Sequence, residues 1–226
     1  MLWLLLVWLS MAVANAQNTE RQLRPELDIY VSPWEAIRFE FENPFQGDRD
    51  TENWRAHFAL YIEAALKPVL RRELRSHPDV YRNRYLTVRA GYQYRTGIGD
   101  SPTTPGNTAI LEVTSRYRLP WRLFISDRNR GDFRFLHGEP FFARYRNRLQ
   151  LERDIRYRRL NFTAYLYDEI YYDTRYDRWT PNRYAAGLDL SINAHLVLEP
   201  YYLRQHSSRS NPPHIAAFGF KVKLYF

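Results

Sequence analysis

Arg146, Glu169 and Arg183 are the residues whose types and spacing best fit a chemical site. Antiparallel pairing across a turn near 157–158 would bring Glu169 to Arg146. The next strand would bring Arg183 to a similar height. A carboxylate between guanidiniums suits bidentate, charge-assisted hydrogen bonds. Two readings follow: a structural ion network that fixes strand register, or a site for a small anionic ligand. Arg144, Arg148, Arg116, Arg118, Arg122, Arg89 and Lys221 share the same polar face. Glu112, Glu152, Asp189 and Glu199 answer them only in part. An interior with that excess would bind or pass small anions, in the manner of a porin. The plain alternative is an interior filled by its own salt bridges.

Other constellations carry less. His206-Ser207-Ser208 has the His-x-Ser spacing of membrane-embedded lipid hydrolases, but it falls in a Ser-Arg-Ser-Asn-Pro-Pro loop. Asp127, Asp173 and Asp177 sit where an outer rim would be, without a clear Asp/His pairing. An envelope enzyme acting on lipid or peptide at the extracellular rim is therefore kept as an alternative with no catalytic residue assigned. The other histidines are scattered, so no metal site is expected. No phosphate-cradling glycine loop is present and no cofactor is implied. Arg144-Tyr145-Arg146 interleaves basic and aromatic residues, as nucleic-acid binders do. Strict alternation puts the two types on opposite faces, so no nucleic acid is expected as partner.

That alternation defines the elements. Period two marks strands with two different faces. Leu149 and Leu151 oppose Arg144, Arg146, Arg148 and Glu152, while Leu166 opposes Glu169. Leu188 and Leu190 oppose Arg183 and Asp189; Leu196 and Leu198 oppose Glu199. Phe218, Phe220, Val222, Leu224 and Phe226 form one face of the last segment and are expected to face lipid. About ten such segments run from Ile37 to Phe226, several longer than the roughly nine to eleven residues a membrane strand needs. Connections alternate short and long, as in outer-membrane barrels. The long ones include 43–53, 97–107 and 129–140. Twelve strands is the alternative, adding 27–32 and 69–75. A secreted soluble β-sandwich is the other fold that this pattern allows.

Composition agrees. The chain has 226 residues, no cysteine, and 33 Lys+Arg against 25 Asp+Glu, giving +8. Only Lys67, Lys221 and Lys223 are lysine. Absent cysteine excludes a disulfide scaffold and thiolate metal sites. A mean hydropathy of −0.59 argues against helical spans but not against strands that are half polar. Residues 1–16 read as a cleaved secretory signal peptide, with an apolar run and an Ala14-Asn15-Ala16 cleavage site. Residues 17–34 are then expected as a periplasmic N-terminal segment, and 35–226 as an all-β, antiparallel transmembrane β-barrel.

Asn147-Arg148-Leu149, Tyr167-Asp168-Glu169-Ile170, Asn182-Arg183 with Gly187, and Leu198-Glu199 with Tyr202 and Gln205 occur in that order. Together they resemble a family of Gram-negative outer-membrane proteins catalogued as domain of unknown function 2490. The resemblance is best over about 140–226. It implies a β-barrel in the bacterial outer membrane, with lipid as its surroundings, and it implies no reaction. The terminal Phe226 resembles the signal by which the barrel-assembly machinery recognises its clients.

Overall fold

The computed structural model describes residues 19–48, 53–69, 78–99, 101, 103–157, 160–206 and 214–226. The period-two segments become eleven strands: β1 (Thr19–Trp34), β2 (Ile37–Asp48), β3 (Trp54–Val69), β4 (Arg84–Ile98), β5 (Gly106–Leu119), β6 (Leu123–Leu136), β7 (Phe142–Tyr157), β8 (Leu160–Asp173), β9 (Arg178–Ser191), β10 (Leu196–His206) and β11 (His214–Tyr225). Sequential strands pair antiparallel, and β1 closes the barrel by pairing in parallel with β11. One sheet closed on itself excludes the two-sheet sandwich. Among the described residues no helix is long and apolar enough to cross a membrane.

Three expectations change. The described residues form eleven strands rather than ten, and 27–32, the segment added in the twelve-strand alternative, lies within β1. The segment expected to lie outside the barrel is β1, so the boundary at 34/35 falls at a turn within the barrel. Pro25 and Pro44 lack the amides that a central strand uses, which disguised this region in sequence. Of the 69–75 strand in the twelve-strand alternative, Val69 is the last residue of β3 and 70–75 lie outside the described residues. Finally, β6 runs on to Leu136 through the stretch expected as a loop from 129. Residues 1–16, the expected signal peptide, also lie outside the described residues.

Alternation of direction sorts the connections onto two rims. The C-terminal rim holds Phe226 and the connections at 35–36, 70–83, 120–122, 158–159 and 192–195. The loop rim holds 49–53, 99–105, 137–141, 174–177 and 207–213, together with the start of β1. The seam between first and last strands is well made. Phe226 donates its amide to the Tyr30 carbonyl at 2.8 Å, and Ser32 donates to the Phe226 carbonyl at 2.9 Å. Inside, the Tyr30 and Tyr225 rings stack at 4.6 Å.

The two faces of the wall are opposite in character. Leu60, Leu111 and Leu166 point outward at 65%, 56% and 57% exposure, while Asp132, Glu169 and Asp173 point inward at 0%. A soluble protein buries the first kind and exposes the second.

Candidate functional site

Register positions the charged groups of the lumen. Across β7 and β8, Arg144 faces Asp173, Arg146 faces Tyr171, Arg148 faces Glu169 and Glu152 faces Tyr165. Glu169 is the hub of the middle layer. Arg128 bonds one of its oxygens, Arg148 and Arg183 approach at 3.3 Å each, and the Tyr171 hydroxyl donates at 2.5 Å. The expected Arg146–Glu169 pair is not made. Arg146 lies two residues off that register and binds Asp132 at 2.6 Å instead.

Towards the loop rim, carboxylates inside the barrel become scarce among the described residues. Asp132 also takes Arg130 at 2.6 Å and Arg134 at 3.3 Å, so one carboxylate serves three guanidiniums. Arg144 holds Asp173 at 2.7 Å. Among the described residues, Arg95 donates only to the Thr104 carbonyl, at 3.1 Å. The Nε atoms of Arg95, Arg134 and Arg146 are buried without a hydrogen-bond acceptor.

Towards the C-terminal rim, the lumen is cross-linked. A single 3-10 turn, Val80–Asn83, precedes β4, and the Asp79 side chain caps it by accepting from the Tyr81 amide at 3.0 Å. From this turn Arg82 reaches Glu152 on β7 at 2.6 Å and Asp189 on β9 at 2.8 Å. Since β9 lies five strands from β4 in the ring, this reach crosses the lumen. Arg38 anchors the other side of the turn. It bonds Asp79 at 2.7 Å and Glu63 at 2.5 Å, with its guanidinium 4.3 Å from the Tyr81 ring. Lys223 joins Asp189 at 3.2 Å and Glu199 at 2.5 Å, and Glu199 also accepts from the Tyr165 hydroxyl. Burial alone would weaken Arg82 as a base, but Glu152 and Asp189 hold its pKa well above the usual value. Burial likewise pushes the Tyr81 phenol up to about 12.

The remaining expected lumen residues divide. Arg89 binds Glu40 at 2.7 Å, Glu42 at 2.9 Å and Glu112 at 3.1 Å. Lys221 binds Glu26 at 2.7 Å, and Arg116 donates to the Thr87 hydroxyl at 3.3 Å. Arg118 is exposed at the foot of β5, and the side chain of Arg122 is outside the described part. Phe218, Phe220, Val222, Leu224 and Phe226 lie on the outer side of β11 and beyond its end.

Among the described residues the rim aspartates do not converge, and the His-x-Ser pair lies only partly within them. His206 meets His214, Nδ1 to Nδ1, at 3.1 Å, while Ser207 and Ser208 lie outside the described residues. Asp173 is inside with Arg144, Asp177 accepts from the Tyr172 hydroxyl in a turn, and Asp127 is outside with Asn147. Among the described residues no group of three or more His, Asp or Glu could hold a metal ion.

Sequence reasoning missed Arg24, Asp79, Arg82, Arg130, Asp132 and Arg134. On β6 the inward alternation of Arg128, Arg130, Asp132 and Arg134 was present, but its outward partners Asp127, Asn129 and Gly131 are not apolar. They belong to a polar strip on the outer wall. Asn147 donates to Asp127 at 2.6 Å and to Asn129 at 3.1 Å; Asn182 donates to Asp168 at 3.3 Å and to the Tyr184 hydroxyl at 3.2 Å.

The family described as Protein of unknown function (DUF2490) matches residues 71–215, from ahead of β4 to the first residues of β11. No curated protein and no solved structure matches the chain.

Proposed function

We propose, for a chain that belongs to the DUF2490 family of proteins of unknown function, a bacterial outer-membrane barrel that retains small anions in its lumen rather than conducting them. The observation that carries the membrane seat is the inversion of the wall, apolar outside and charged inside. A strand of about 14 residues rises roughly 46 Å along its own axis. Tilted as barrel strands are, it covers the apolar thickness of a bilayer. Aromatic clusters near both rims support the same reading: Tyr145 and Tyr172 with Trp179 at one, Tyr85 with Tyr117 at the other. The signal-like residues 1–16 and the terminal Phe226 suit export and recognition by the assembly machinery. The polar strip across β6–β9 is the part least suited to acyl chains. Its amides and carboxylates bond one another, which lowers the penalty of setting them against lipid.

Retention rather than passage is supported by the Arg82 crossing and by the arginine surplus at the loop rim. Membrane fractionation followed by gel electrophoresis with and without heating tests the seat. Heat-modifiable mobility in the outer-membrane fraction is expected; recovery in the soluble periplasm sinks the reading. Planar-bilayer recording tests the closed lumen, with no current above bare lipid expected.

A further inference from the structure

Among the described residues, three apolar clusters interrupt the charged interior of the wall, and the largest lies on β8–β11. Tyr167, Ala185, Tyr201, Leu203 and Ala217 form an apolar patch on the lumen side of β8–β11. At its edge lies Arg24 of β1, only 7% exposed. Its Nε and Nη2 both donate to the Gln22 side-chain oxygen, at 2.8 and 2.5 Å. No carboxylate is at ion-pair distance from Arg24 among the described residues. The nearest candidates are engaged elsewhere: Glu26 with Lys221, and Glu20 with Gln22 and Arg55. Arg24 is within electrostatic reach of a second guanidinium, Arg183, and of the Tyr201 and Tyr167 phenols. Neither of those two hydroxyls has a hydrogen-bond partner among the described residues. Arg24, Arg183, Tyr167, Tyr201 and Leu203 all line a lumen cavity of about 380 Å³.

The backbone prepares this arrangement. Arg24 pairs with Gly219, and Gly219 pairs with Tyr201. A Cβ on Gly219 would stand 2.0 Å from the Tyr201 ring, so the glycine lets that ring lie flat along the row that leads to Arg24.

A buried guanidinium without a carboxylate is costly unless something answers its charge. Here the unanswered Arg24 guanidinium and two unused phenolic donors lie beside an apolar patch, with Arg183, itself bonded to Glu169 and Gln205, adding positive charge. We propose that this is a binding site for a small organic oxyanion, a carboxylate or phosphate monoester with a flat apolar body. The head sits between Arg24 and Arg183 and accepts from Tyr167 and Tyr201. The body lies against Leu203 and the Tyr201 ring, which line the same cavity. The inference rests on the anion-retaining reading of the lumen but not on where the barrel resides.

Isothermal titration of the refolded full chain in detergent micelles tests it, with benzoate, phenyl phosphate, inorganic phosphate and benzylamine as probes. Saturable one-to-one binding of benzoate or phenyl phosphate is expected, at least tenfold tighter than inorganic phosphate, with no heat from benzylamine. The stronger of the two aromatic anions identifies the head group. Arg24→Gln is expected to weaken that anion at least tenfold. The Tyr167→Phe, Tyr201→Phe double variant keeps the apolar patch and removes the donors, and a loss of at least fivefold is expected. Heat-modifiable mobility verifies that each variant is closed. Should Arg24→Gln not close, the double variant alone decides. Aromatic anions that bind no better than inorganic phosphate, or wild-type affinity in the closed variants, overturn the site. That outcome leaves the membrane seat standing, and recovery of the protein in the soluble fraction leaves the site standing.

Discussion

The two ends of the lumen use the same residue types to opposite effect. At the C-terminal rim Arg38, Arg82, Lys221 and Lys223 each have at least one carboxylate, and Asp189 takes both Arg82 and Lys223. These contacts tie β2, β7, β9, β10 and β11 to one another and to the turn before β4. At the loop rim one Asp132 serves Arg130, Arg134 and Arg146, and among the described residues Arg95 has only a carbonyl. Matched charges close an end; a surplus of one sign leaves a field that draws in counter-ions. Among the described residues the difference lies in the carboxylates that each end offers its cations rather than in the fold, because both ends have the same wall.

The comparison can be broken by substitution. Asp132→Asn has the largest expected effect, because it leaves three guanidiniums without their carboxylate. A loss of about 3–5 kcal/mol in denaturant unfolding from lipid vesicles is expected, as for breaking a buried pair. A loss below ~1 kcal/mol would mean that solvent already screens the loop rim. Arg82→Ala comes next, at about 2–3 kcal/mol. It also removes the crossing, so bilayer recordings should show current where the wild type has none; an unchanged silent trace would show that other groups close that end. A double-mutant cycle sharpens the middle layer. Coupling of about 1–3 kcal/mol is expected for Arg148 with Glu169, and below about 0.5 kcal/mol for Arg146 with Glu169. Equal couplings would contradict the register. Arg95→Gln should be the mildest, neutral or stabilising by up to about 1 kcal/mol, since it relieves repulsion without breaking an ion pair. A clear destabilisation would reveal that Arg95 is paired after all.

Much of this was legible in the sequence. The clean alternations from Leu149 to Glu152, across Leu166 and Glu169, and along Phe218 to Phe226 gave strands, faces and a charged interior. What was hidden had physical causes. β1 is interrupted by Pro25 and carries Arg24, Glu26 and Asp28 inward, so it resembled a polar leader. β6 has Asp127 and Asn129 outward, so half of it looked like loop. Arg82 lies in a connection, where no periodicity predicts contacts. The Arg146–Glu169 error was one of register: period two identifies the face, but a two-residue slip keeps the face and changes every partner. The Arg24 site needed all of these at once, since β1 had to be a strand and to lie beside β11.

The parallel seam between β1 and β11 governs when that site exists. Its contacts join Glu26 to Lys221, 195 residues apart. Closing so long a loop costs about 2–3 kcal/mol more entropy than closing a ten-residue hairpin. The seam should therefore zip last and open first, with the other ten strands waiting as a curled sheet. Arg24 rides on the strand that completes the ring, while Arg183, Tyr167 and Tyr201 are in place beforehand. An occupant held between them would bind only the closed ring and, by mass action, would act as a clasp on it.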